Sequence, residues 1–395
     1  MLTYDVLAPL PEQERQALFA RLRAEPGLCR IAPLGAYGAA RHEDALALLK
    51  DSRTFSSEAL AVTAAPPWLG PNPVAESLLT KDPPEHARLR ALVSRAFGAS
   101  GIARLEARVR EVSERWADTA VRQGEGDLVE AFTHRVPRDI IGEMLGLEAD
   151  TFPRFQRWSQ GMAAITAAIT PAQQEECRAV VREMDAALRA VIAARRRQPA
   201  DDMVSDLLAA EVEGRTLSDD EVLAFLFLLL PAGMDTTTQW LGNAVLTLAR
   251  RPEELARARA DKAHVARFLE EVLRYEPPSQ LSFRLATRDT ELAGTRIPAG
   301  SLVLGLIASA NRDERVFDQP EHFLPGRSKA TQHLTFGHGI HFCLGAQLAR
   351  LEARIALETL VSRVRGLEPL SPTVEWIPSL ASHGPASLPL RLVPA

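Results

Sequence analysis

Cysteine is scarce in this chain of 395 residues, which has three: Cys29, Cys177 and Cys343. Odd in number and far apart, they make neither a disulfide framework nor a four-cysteine metal or iron–sulfur site. Such usage suits a reducing compartment. A basic excess is also missing: the net charge of −5 gives no support for nucleic-acid binding, which calls for surplus Lys and Arg. No apolar run reaches membrane length. The longest, "VLAFLFLLL" from Val222 to Leu230, stops at Pro231 and reads as part of a buried core helix. The start, "MLTYDVLAPLPEQERQALFARL", shows no basic leader ahead of an apolar stretch. A soluble, cytoplasmic protein is expected. No internal repeat, low-complexity tract or obvious linker breaks the chain, so one domain over 1–395 is expected, although length alone argues for two or three.

What is present is mostly helical. "SDDEVLAFLFLLLPAGMDTTTQWLGNAVLTLARR" opens with Ser218 and Glu221 in a capping-box arrangement and runs to Arg250, before Pro252. Apolar nearly all round, it belongs at the centre of a large core. The pattern predicts further helices at 83–96, 101–122, 136–146, 171–197, 252–259, 263–275 and from Leu344 to about Arg365. Short strands are predicted at 281–287, 291–298, 301–305, 373–377 and 386–393. The fold class is mainly α with a small β portion. The segment Leu60 to Leu79 has the prolines of a loop but almost no charge. Loops are normally polar, so it either packs down as irregular core or lines a cavity for an apolar ligand.

The stretch "FGHGIHFCLG", Phe336 to Gly345, sets Cys343 just ahead of a helical pattern. Sulfur binds a metal as thiolate, and a helix N-terminus offers the donors that lower a thiol pKa. Gly337 and Gly339 permit backbone angles closed to other residues, and Gly345 allows a large flat group to approach. Phe336 and Phe342 would shield the sulfur from water. Two other readings stand beside this one: a buried structural cysteine, and a zinc site from His338, His341 and Cys343, whose spacing is crowded for that metal.

Other motifs bear on the choice. "AGMDTT", Ala232 to Thr237, puts Asp235 and Thr236 inside the long apolar helix, where polar groups are costly without a partner or a task. Gly233 is expected to leave space beside the helix. Alternatively, Thr236 bonds back to a carbonyl one turn earlier. Pro231 lacks the N–H that would reach the Phe227 carbonyl and should kink the helix. "EEVLRYEPP" sets Glu271 and Arg274 on one helical face. "DPPEHARLR" offers Asp82 as N-cap and Glu85 at the capping-box position. His86 and Arg90 are then four apart on one face, ordinarily a solvated one.

The glycine–cysteine stretch resembles the haem-ligand loop of the cytochrome P-450 superfamily, Phe-Gly-x-Gly-x-His/Arg-x-Cys-x-Gly, with every fixed position filled. The likeness runs from "TFSSEA" near residue 54 to the C-terminal strands, and is to the soluble bacterial branch. It implies the cytochrome P-450 fold, with haem b between the long central helix and the helix after the Cys loop. Cys343 would then be the axial thiolate. His86, Arg90, Arg284 and His341 match propionate-binding positions. Thr236 would steady the oxygen and Asp235 relay protons toward it. Glu271, Arg274 and Arg327 match a structural ion-pair network.

The implied activity is monooxygenation, hydroxylation or epoxidation of a bulky apolar molecule such as a terpenoid, steroid or macrolide. The pocket would draw on the 60–79 loop, Ser159 to Thr170, Leu226 to Ala232 and Leu281 to Phe283. No reductase motif is visible, so electrons would come from a ferredoxin with its ferredoxin reductase, docking near Arg350 and Arg354. A monomer without membrane or nucleic-acid partners is expected. The alternatives are a peroxide-driven or non-oxygenating haem enzyme, or a haem-binding sensor without turnover.

Overall fold

The computed structural model describes residues 1–5, 12–165 and 169–395. Its principal helices are α1 (Glu12–Ala24), α2 (His42–Lys50), α3 (Glu85–Ala96), α4 (Ala99–Gln123), α5 (Arg135–Met144) and α6 (Phe152–Ala163), then α7 (Pro171–Arg197), α8 (Asp219–Arg250), α9 (Pro252–Ala260), α10 (Lys262–Tyr275) and α11 (Ala346–Arg363). The expected helices are all there, with ends shifted by a residue or two. Helix α8 begins at the foreseen capping box, with Ser218 and Glu221 each bonding the other's backbone N–H. It continues unbroken past Pro231.

One capping expectation is corrected. Helix α3 starts after Pro84 with no side-chain cap. The Asp82 carboxylate instead accepts the N–H of Ser57 at 3.2 Å, so it ties a distant loop to the helix start.

Helix α8 passes the length and hydropathy test for a membrane span, yet 56% of its most apolar stretch is buried inside the fold. Leu226, Phe227 and Leu230 are fully enclosed in a cluster with α3 to α7 and α9 to α11. Its composition thus reflects its central place: every side has a protein neighbour.

The four N-terminal strands, like α1, α2 and α6, were not expected from the sequence. Strands β1 (Thr3–Asp5), β2 (Cys29–Ala32), β3 (Ala36–Ala39) and β4 (Phe55–Ser56) join β5 (Leu281–Ala286) and β6 (Leu302–Leu306) in one sheet. The order is β1-β2-β3-β6-β5-β4; β1–β2 and β3–β6 are parallel, and the other pairs antiparallel. Register pairs Arg284 with Val303, which fixes the height of Arg284 on the sheet. The expected 291–298 strand is a hairpin, Thr290–Leu292 with Thr295–Ile297. The C-terminal signals resolve into short strands at Glu375–Trp376, Pro385–Ser387 and Pro389–Pro394.

The 60–79 segment, nearly free of charge, does both things expected of it. Leu69, Ala75 and Leu78 are buried, while Leu60, Thr63, Ala64 and Leu79 line a cavity.

The segment before the cysteine loop is held by charge. Glu271 and Arg274 are fully buried and paired at 2.8 Å. Arg327 reaches the same carboxylate at 3.2 Å, and Glu271 also accepts the Leu324 N–H at 2.8 Å. Arg274 donates to the carbonyls of Asn311, Pro320 and His322. A buried pair persists only when its remaining donors and acceptors are used in this way.

Candidate active site

Cys343 sits where the loop turns into α11. Its N–H donates to the Phe336 carbonyl at 2.8 Å, closing the loop on itself. Gly337 and Gly339 take φ of 69° and 70°, as the left-handed region requires of glycine. At Gly339 a Cβ would also meet the Leu49 carbonyl oxygen at 2.6 Å, so the loop packs backbone against the end of α2. Burial pushes the Cys343 thiol up, despite the Gly345 N–H and the charges of Arg90 and Arg350. The expected lowering by the helix terminus alone is therefore not found. Desolvation outweighs it, and a bound metal cation would be needed to favour thiolate.

The two phenylalanines divide. Phe336 is half-buried against Trp240 (6.1 Å between centroids), whereas Phe342 is 41% exposed and shields little.

Cys343 faces a cavity of about 290 Å³ lined also by Thr236, Gly233, Trp240, Arg284 and His341. Helix α8 forms one wall and the cysteine loop with α11 the other. The Thr236 hydroxyl donates to the Ala232 carbonyl at 2.7 Å, so the back-bonding arrangement is present, and Thr236 still lines the cavity. Gly233 is demanded by packing: a Cβ would stand 2.6 Å from Ile141 Cδ1. Asp235, next to Thr236, turns toward a second cavity of about 320 Å³ under the 60–79 segment. Ser159 on α6 donates to its Oδ2. Burial raises the Asp235 carboxyl to about 6, with the Ser159 bond pulling the other way. Leu79 and Ala232 belong to both cavities, so the two chambers adjoin.

Four basic side chains meet on the cysteine side of the first chamber. The rings of His86 and His341 lie 4.4 Å apart. Arg90 and Arg284 both act on this cluster: burial, with Arg284, His86 and Arg90 nearby, pushes His341 down to about 3. Arg284 donates to Ser282 Oγ and the Phe283 carbonyl, at 3.3 and 2.7 Å. Among the described residues, Nε2 of His86 and of His341 are buried with no hydrogen-bond partner, a costly state unless a ligand completes it. A flat group carrying two carboxylates and a thiol-seeking metal would do so. Gly345 adds open space where a Cβ would stand. The residues therefore fit a haem. They do not fit zinc: among the described residues no three His, Cys, Asp or Glu side chains converge as metal ligands.

Some pocket expectations divide too. Leu228, Leu229, Pro231 and Ala232 line the chambers, whereas Leu226, Phe227 and Leu230 face the core. Leu281 and Ser282 line the first chamber; Ser159 and Ile165 line the second, and 166–168 lie outside the described residues. The expected docking cations are already engaged, Arg350 with Glu270 and Arg354 with Glu358.

One site residue was missed. Glu352 on α11 lines the first chamber, and its Oε2 is buried without a partner. Burial raises its carboxyl well above the ordinary value, which favours the neutral form. The signal was available: Glu352 falls on the helical stripe between Leu348 and Ile355, where a carboxylate is unexpected.

Comparison with known proteins agrees with this geometry. A cytochrome P450 family model matches residues 41–372. Erythromycin C-12 hydroxylase of Saccharopolyspora erythraea is 41% identical over 333 residues, 83% of this chain and 82% of that protein. Cyclomarin C epoxidase of Salinispora arenicola is 37% identical over 316 residues, 80% of each chain. The structure of cytochrome P450 CYP109Q5 from Chondromyces apiculatus superposes with a TM-score of 0.90 at 38% identity, covering 100% of this chain and 99% of that one. A cysteine at a two-walled chamber, basic groups awaiting carboxylates and relatives named for hydroxylation and epoxidation lead to one family: this chain belongs to the cytochrome P450 monooxygenases.

Proposed function

We propose that the protein hydroxylates or epoxidises a bulky, largely apolar small molecule, with Cys343 as the axial thiolate of haem b. The observation that carries this reading is the first chamber, where Cys343 and Thr236 share one cavity with an unsatisfied His341, against which an unsatisfied His86 packs. His86, Arg90, Arg284 and His341 would hold the two propionates, whose carboxylates suit such donors. When bound, the haem supplies reductive activation of O₂, favoured by thiolate donation.

The chain's own residues supply protons and shape. Thr236 donates to Ala232 O and keeps acceptor capacity on the chamber side. Asp235, raised to about 6, exchanges protons near neutral pH, as a relay group should. Ser159 provides the next hydroxyl toward α6. The substrate occupies the adjoining chambers, whose walls of Ala, Leu, Ile and Thr suit an apolar ligand. The erythromycin hydroxylase relative supports a macrolide-sized one.

Electrons come from a ferredoxin and its reductase, meeting the cysteine face where Phe342 is exposed. The protein works as a soluble cytoplasmic monomer. Reconstitution with a ferredoxin, its reductase and an apolar library, read by mass spectrometry, tests the reading. Products gaining one oxygen are expected. Turnover with peroxide alone and none with any ferredoxin system would contradict it.

A further inference from the structure

Arg350 lies on α11, two helical turns past Cys343, and its guanidinium forks onto Glu270 of α10, with Nε 2.6 Å from Oε1 and Nη2 3.1 Å from Oε2. The second oxygen of Glu270 also meets His333 Nε2 at 3.2 Å. The flat face of the guanidinium stands 4.5 Å from the Phe336 ring centroid. Trp240 meets that ring edge-on at an interplanar angle of 81°. Phe336 is thus gripped between α8 and Arg350, and its carbonyl receives the Cys343 N–H at 2.8 Å. A cation stacked on an aromatic ring and locked by a carboxylate fork is well ordered. Its side chain is nonetheless 35% exposed and that of Glu270 16%, so this is no deeply buried structural pair.

We propose that Arg350 is a positioning residue for the cysteine loop, and that the Arg350–Glu270 pair balances the charge felt at the iron. The inference rests on Cys343 being the axial ligand. Two effects follow and can be separated. The first is mechanical: Arg350 presses on Phe336, and Phe336 sets the Cys343 amide. The second is electrostatic. Intact, the pair is close to neutral at a distance. Removing Arg350 leaves the Glu270 carboxylate bare, which favours oxidised iron; removing the Glu270 charge leaves the guanidinium bare, which favours reduced iron.

The test uses the haem-loaded full chain as Arg350→Gln, Glu270→Gln and Arg350→Lys. The reduction equilibrium of the iron is read against a reference dye, and haem loss against a scavenging protein. Arg350→Gln should shift the equilibrium toward oxidised iron, and Glu270→Gln toward reduced iron, by about threefold each for charges in a partly solvated setting. Arg350→Lys keeps the charge but not the planar fork or stack, so its equilibrium should stay near wild type while haem is lost faster. Shifts in the same direction for the two Gln variants, or none in either, would overturn the electrostatic part. Unchanged haem loss in Arg350→Lys would overturn the positioning part. If Arg350→Gln does not retain haem, the sign of the Glu270→Gln shift and the Arg350→Lys rate still decide. Failure of the axial-ligand reading itself would show separately, as a Cys343→Ala protein with an unaltered carbon-monoxide spectrum.

Discussion

Asp235 illustrates how much one side chain's setting matters. Burial raises its carboxyl to about 6, above the unfolded value near 3.9. The folded chain therefore holds this proton more tightly than the unfolded one. Stability is lost as pH rises from about 4 through about 6, and the loss is constant above that. Asp235→Asn removes the ionisation, so the variant should resist denaturant better than wild type by roughly 2 kcal/mol above about pH 7, with the gap closing near pH 4. Parallel pH profiles of the two unfolding free energies would contradict the assignment.

At this scale much was legible. Cys343 and His341 fall in one short motif and line one chamber, with His86 packed against His341; that they bind the haem is part of the proposal. The separation of Asp235 from Thr236 into different chambers was not, since neighbours on a helix diverge by about 100° and only packing decides what each meets. Glu352 was overlooked although it falls on the apolar stripe between Leu348 and Ile355, since the stripe does not say that the carboxyl opens onto a chamber.

Among elements, the loop before α11 and the end of α10 bear the strictest demands. Gly339 combines a φ of 70° with a carbonyl 2.6 Å from where a Cβ would stand. Gly339→Ala should cost at least about 1–2 kcal/mol from the left-handed backbone alone and, with the clash, lower haem retention on thermal melting. Glu271→Gln breaks a fully buried pair and strands Arg274 and Arg327, so a loss of roughly 3–5 kcal/mol is expected. An unfolding midpoint unchanged by either substitution would refute these roles.

Long helices were readable because their apolar period persists over many turns. The N-terminal strands and α1, α2 and α6 were not. Their strands are a few residues long, and β3 and β4 gain order by pairing with β6 and β5, which lie more than two hundred residues away. The Asp82 cap failed for a related reason: a tertiary partner, Ser57, claimed the carboxylate.

For the whole molecule, the proposed substrate site rests on two chambers sharing Leu79 and Ala232. Ala232→Phe should fill the opening between them, weakening binding of macrolide- or steroid-sized ligands by about tenfold or more while sparing small iron ligands. Equal affinity for large ligands in both proteins would show that they do not span the opening. The sheet, α8 and α11 all border the chamber that Cys343 faces, and the proposed bond from its sulfur to iron is open to direct examination. Purified, reduced protein exposed to carbon monoxide should show the thiolate-ligated spectrum of the family, and Cys343→Ala should lose the haem or that spectrum. A Cys343→Ala protein retaining both unchanged would contradict the account.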